Sequence, residues 1–224
     1  MNNKVKIFLA IVFTIFIVFS IIIFNISTIE NNIWNIVFFT TILLLLSNLS
    51  EFINFESSTS TSISLPVLIP AITILNPFLI TLIAFIGTSE IGFGKEKIPW
   101  YKFFFNRCVI GLSAGIAAFI YRVSLGIITS NILIALFFSS VIYFIINSGL
   151  VYAVIYLSGE EQKISYRVFL NELFKSIFMS YFLGLLLYFS YIQFGKLFFI
   201  LVIILIYIAR DIFFSRIQLL NSFT

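Results

Sequence analysis

A chain of 224 residues without a single histidine closes off much of enzyme chemistry. A Ser-His-Asp triad, a Cys-His pair and a His-ligated metal site are all out of reach. Asp211 is the only aspartate, so the residue pairs that intramembrane proteolysis needs are missing too. Cys108 is the single cysteine and cannot form an internal disulfide. These counts point to a non-enzymatic protein with no catalytic residues, no cofactor and no metal site.

What remains for recognition is a short set of polar side chains inside apolar runs. Asn106 and Arg107 open one such run, Tyr121 and Arg122 close it, and Asn147 lies near the middle of the next. Each has two readings. Asn106 and Arg107 either anchor a helix start at the interface or form a polar lid on a cavity. Tyr121 and Arg122 either snorkel to headgroup level or recognise a ligand on the outer face. Asn147 in lipid must find a partner, which is either another helix or a bound small molecule. Asn106, Tyr121, Arg122 and Asn147 are therefore the candidate ligand-binding residues. Gly111, Ala114, Gly115 and Ala118 form a small-residue face on which a second helix can approach closely.

The elements carrying these residues are set by composition. Hydrophobic residues make up 61% of the chain and charged ones 10%, and a soluble protein of this size would expose far more apolar surface than water tolerates. An integral membrane protein is the consequence. The formal net charge of +4 is not a nucleic-acid signal, because the Lys and Arg residues lie at the ends of apolar runs rather than in a stripe. The Glu160, Glu161, Lys163, Arg167, Glu172 and Lys175 series alternates in sign as a solvated or interfacial face does.

Six apolar runs offer the roughly 20 residues needed to cross ~30 Å of hydrocarbon: 5–26, 33–49, 103–125, 132–157, 173–194 and 197–214. The first is too long for a signal-peptide core and is expected to remain as an anchor. A Trp100/Tyr101/Lys102 border opens the third of them, as aromatic and basic side chains do at a membrane interface. Between the second and third, Glu51 to Ser64 is Ser/Thr-rich and expected to be extended. Leu65 to Gly87 is apolar but carries Pro66, Pro70 and the Asn76-Pro77 pair. Proline removes a backbone donor and disfavours helix in the residue before it, so Asn76-Pro77 is expected to divide this stretch into two short halves.

Charge decides how to count that broken stretch. If it re-enters, both termini are cytoplasmic and the inside holds Lys4, Lys6, Lys95, Lys97, Lys102, Arg107, Lys163, Arg167, Lys175, Arg210 and Arg216. Only Arg122 and Lys196 fall outside, a split of 11 against 2. If it crosses once with the C-terminus kept inside, Lys4 and Lys6 move out and the split becomes 9 against 4. The positive-inside rule favours the first.

From Ser57 to Phe214 the chain resembles the membrane-embedded N-terminal region of bacterial cyclic-di-GMP signalling proteins that carry HD-GYP or GGDEF domains. The resemblance rests on SISLPVLIPAITILNP, PWYKFFFN, YFIIN at Tyr143 to Asn147, GEEQKISYRVFLNE, FGK and the exit helix IYIARDIFFSRIQLL. Such regions usually carry Gly where this chain has Asn76. No HD, GYP or GGDEF sequence occurs up to Thr224, so the resemblance implies a sensor or input module and not the catalytic activity. A weaker similarity, in the six-span plan, the broken 65–87 stretch and the Gly111/Gly115 face, is to the substrate-binding membrane subunits of energy-coupling-factor vitamin transporters.

The expected protein is an all-α, polytopic membrane helix bundle, one domain over residues 1–224, with six transmembrane helices plus a proline-broken segment. It sits in a bacterial cytoplasmic membrane as a multi-pass protein with both termini cytoplasmic. Its partners are the lipid bilayer, a cytoplasmic signalling protein or a transporter coupling subunit, and a small-molecule ligand; nucleic acid is excluded.

Overall fold

A computed structural model of the protein describes residues 3–27, 33–52, 64–88, 99–158 and 166–221. The Lys95 and Lys97 loop, the Glu160 to Lys163 charges, most of the turn before Ile33 and most of the Ser/Thr-rich stretch lie outside these residues. The described residues contain helices and no strand. Helix α1 is Asn3–Ile26, α2 Ile33–Phe52, α3 Ser64–Ile74, α4 Pro77–Gly87, α5 Trp100–Val123 and α6 Ile132–Ser158. A wider π-type turn, Ser124–Ile128, prolongs α5. The helical run Tyr166–Asn221 is interrupted at Gly195, whose φ of 80° and ψ of −172° are not helical, and its parts are α7 (166–194) and α8 (196–221).

Gly195 sits in the middle of the FGK turn and adopts a backbone region open to glycine alone. The rings of Tyr191 and Phe199 lie 5.8 Å apart across it. Eight residues along an unbroken helix rise about 12 Å, so the break folds one flank toward the other. Helix α2 runs on to Phe52, three residues past the expected end of its span at Leu49, because nothing from Ser50 to Phe52 breaks a helix.

Among the described residues four helical stretches are long and apolar enough to cross a membrane: Asn3–Ile26, Trp100–Ile128, Ile132–Ser158 and Ile177–Ala209, the last containing the Gly195 break, with Ile33–Ser47 and Pro77–Gly87 shorter. The protein is thus an α-helical membrane protein. Its lipid-exposed face is carried chiefly by α1 and by Ile177–Ala209, each 17% buried against 61% for α5.

Ring and side-chain contacts fix the relative directions. Phe8 meets Phe105 at 6.3 Å, Phe16 lies against Gly111, and Phe19 lies against Gly115. Contacts that advance together along both helices make α1 and α5 parallel. Helix α4 runs against them: Phe16 stacks on Phe85 at 5.0 Å while Phe24 meets Phe78 at 4.9 Å. Helix α6 is antiparallel to α5, since Ser139 donates to the Ala117 carbonyl at 2.9 Å while Leu150 and Val154 pack in the cluster of Phe105 and Cys108.

Helix α3 climbs against the 166–221 run, with Ile69 on Gly184, and α4 returns beside α5, so together they form a hairpin. Its tip at Leu75 and Asn76 lies beside Arg122, at the far end of α5 from Trp100. This hairpin is the centre of the bundle. Of residues 66–88 only Ile86 is exposed, and Val67, Ala71, Ile80 and Ala84 are wholly buried.

Glycines admit the hairpin at four crossings. A side chain at Gly115 would strike Thr81 Oγ1 and, at 2.7 Å, Phe19; one at Gly111 would meet the Thr81 carbonyl at 3.2 Å. A side chain at Gly87 of α4 would meet Leu43 of α2 at 2.7 Å, and one at Gly184 of α7 would meet Ile69 of α3 at 2.8 Å. Ala114 and Ala118 complete the buried small face of α5. Where lipid supplies no hydrophobic drive between helices, such close approach maximises dispersion contacts.

Gly115→Ala is therefore expected to cost about 1–3 kcal/mol through overpacking, whereas Gly149→Ala, with open space around it, leaves stability unchanged or raises it. Gly195→Ala should cost about 1–3 kcal/mol for backbone strain alone. Reversible unfolding of the purified variants in mixed micelles measures all three, and an unchanged Gly115→Ala would mean that α4 does not pack there.

Candidate functional site at the hairpin tip

The tip is built by two neighbouring residues. Pro77 occupies the first position of α4, where its missing N–H costs nothing and its fixed φ suits a helix start. Asn76 caps that start in an extended conformation, φ −70° and ψ 161°, with Oδ1 accepting from the Leu79 N–H at 2.8 Å. Its own carbonyl accepts from the Ile80 N–H at 3.0 Å. A negative φ needs no glycine, so an asparagine serves where the resembling regions carry Gly.

On the other side of the break, α3 ends with carbonyls that have no following turn to pair with. Arg122 addresses one of them: its Nη2 donates to the Leu75 carbonyl at 3.4 Å. A cation at the C-terminal end of α3, itself carried on the last turn of α5, also complements both helix dipoles. Tyr121 beside it is buried at 3% exposure within the main core, and the Arg122 guanidinium carbon lies 5.9 Å from its ring centre.

The four candidate ligand residues are not brought together. Tyr121 and Arg122 belong to the tip. Asn147 is partly buried on α6, two turns nearer the Trp100 end than Ser139, and Asn106 is exposed near the Trp100 end of α5. Asn106 and Arg122 stand sixteen positions apart on one helix, about 24 Å by helical rise. Arg107 lies over the Phe103 ring, 3.5 Å from its centre, a cation–π contact one turn back along the helix.

Two further features carry no strong signal in the sequence. Beside the hairpin, between α3, α6 and α7, Ser139, Ser140, Tyr143 and Ser180 converge with Leu68, Ile69 and Ile72 on a cavity of about 10 Å³. That is room for about one water. The Ser140 hydroxyl donates within its own helix to the Leu136 carbonyl at 2.8 Å, and Ser139 and Ser140 are adjacent in the sequence, so no helical period marks this face. Near the other end, α1 and α5 enclose a groove of about 540 Å³ with apolar walls. Among the described residues no three His, Cys, Asp or Glu side chains group as metal ligands would.

These features define the class: a polytopic helical membrane protein with a capped, proline-broken hairpin at its centre. Comparison with family models, curated proteins and solved structures finds no match.

Asn76→Ala is expected to lose about 1 kcal/mol of stability, typical of an N-cap, with Asn76→Asp retaining most of it. Asn106→Ala, at an exposed position, should leave stability within about 0.5 kcal/mol of wild type. Equal unfolding midpoints for Asn76→Ala and Asn106→Ala would show that the cap does not hold the tip.

Proposed function

We propose that the chain is a non-enzymatic sensor or input module of a bacterial membrane, passing a signal through its C-terminal helix to a cytoplasmic signalling protein. One observation carries this reading. Helix α8 buries Phe199, Val202 and Ile203 in the same cluster as Leu68, Ile72 and Ile80 of the hairpin, then stays helical to Asn221, past the charged pair Arg210 and Asp211. A stiff helix that packs against the hairpin and continues beyond it transmits displacement of the hairpin along its length.

In this reading the chain crosses six times, with α2, α7 and α8 as the crossings beyond α1, α5 and α6, and the hairpin re-enters. Parallel α1 and α5 support that count. A hairpin between α2 and α5 leaves α1 and α5 in the same sense, whereas a single crossing there would oppose them. Both termini are then cytoplasmic, which agrees with the charge split. Reporter fusions at Asn3 and Thr224 should both report cytoplasm, and a periplasmic N-terminus would contradict the count.

For the alternative, a vitamin-binding transporter subunit, the cavity beside the hairpin is far below the ~300 Å³ lower range of small-molecule sites, and the α1–α5 groove of about 540 Å³, though within that range, lies away from the hairpin. A photo-crosslinking residue at Ile212, exposed on α8, tests the proposal in native-host membranes. The expected product joins the chain to a cytoplasmic signalling enzyme whose output changes when α8 is altered. Capture of an ATPase pair with a coupling membrane subunit would establish the alternative instead.

A further inference from the structure

Parallel packing of α1 and α5 brings together two segments that are distant in sequence. Lys6 comes from the first turn of α1; Trp100 and Tyr101 come from the first turn of α5. They stand on the rim of the groove of about 540 Å³, whose walls continue through Phe13, Phe104 and Cys108. That volume lies within the ~300–1,000 Å³ range of ligand sites. Along α5 the groove spans Trp100 to Cys108, about 12 Å of helical rise, against the ~15 Å depth of one leaflet's hydrocarbon.

The two ends of the groove differ in chemistry. Trp100 and Lys6 are exposed at one end, where an aromatic and basic pair marks headgroup level. Among the described residues no Asp or Glu lines the groove, and Lys6 is its one cation. Below this rim the lining side chains are apolar, with the buried Cys108 thiol at the deep end.

We propose that this groove holds one anionic phospholipid, its phosphate at Lys6 and the upper part of one acyl chain along Phe13, Phe104 and Cys108. Charge complementarity decides the headgroup. A lysine at an anionic surface contributes ~1 kcal/mol, equivalent to about fivefold in affinity. The proposal rests on the membrane class and the α1–α5 packing, and stands apart from the signalling role.

The test uses the full chain in nanodiscs of equal phosphatidylglycerol and phosphatidylcholine, released for native mass spectrometry. Wild type should retain phosphatidylglycerol over phosphatidylcholine by about fivefold, and Lys6→Gln should bring the two near parity. Ala10→Phe, at an exposed groove position, should lower retention of both lipids and provides a second reading if Lys6→Gln folds poorly. Lys196→Gln makes the same charge change elsewhere and should retain the wild-type preference. Equal retention of both lipids by wild type, a preference that survives Lys6→Gln, or unchanged lipid retention in Ala10→Phe would overturn the proposal.

Discussion

Hydrocarbon offers no hydrogen bonds, and a chain that breaks a helix at membrane depth must supply the missing partners from protein. In this molecule the break is Leu75-Asn76-Pro77, and the rest of the bundle is arranged around it. Proline at the start of α4 removes one donor that would have been orphaned. The Asn76 side chain satisfies another, and Arg122 reaches a carbonyl left open at the end of α3. A break so treated can be enclosed by the surrounding helices.

Enclosure in turn demands thin contacts. The surrounding helices crowd a hairpin whose residues 66–88 are almost all buried; a single methyl group would collide with a neighbour at Gly87, Gly115 and Gly184 and fit tightly at Gly111. Hydroxyls fill the remaining polar needs at short range. Ser47 donates to the Gly87 carbonyl at 3.2 Å and Ser139 to the Ala117 carbonyl at 2.9 Å, each tying two helices by a bond worth about 0.6 kcal/mol in a membrane. The outer helices then face lipid with Phe, Ile and Leu.

Much of this was legible in the residues, for identifiable physical reasons. Proline chemistry located the break and apolar length located α1, α5 and α6, whereas Ile33–Ser47 is shorter than the expected 33–49 span and the 173–194 and 197–214 runs fall in one stretch, Ile177–Ala209. The central place of the hairpin was not legible. In water, hydropathy separates core from surface, but in lipid both are apolar: α1 is the most apolar of the four long helices and only 17% buried. The polar candidates show the same limit, since Asn106 faces outward while Tyr121 is buried and Arg122 reaches the tip. Nor could sequence spacing reveal the α1–α5 groove, because its two walls start 97 residues apart, at Asn3 and Trp100.

The central claim is that Leu65 to Gly87 doubles back inside the bundle, which sets α4 antiparallel to α1. Cysteine pairs in a Cys108→Ser background test it by disulfide crosslinking in native membranes. The account predicts bridges for the pairs replacing Phe16 with Phe85 and Phe24 with Phe78, and none for Phe16 with Phe78 or Phe24 with Phe85. Crosslinking of the second set and not the first would make α4 parallel to α1, as a single crossing requires, and would contradict the account.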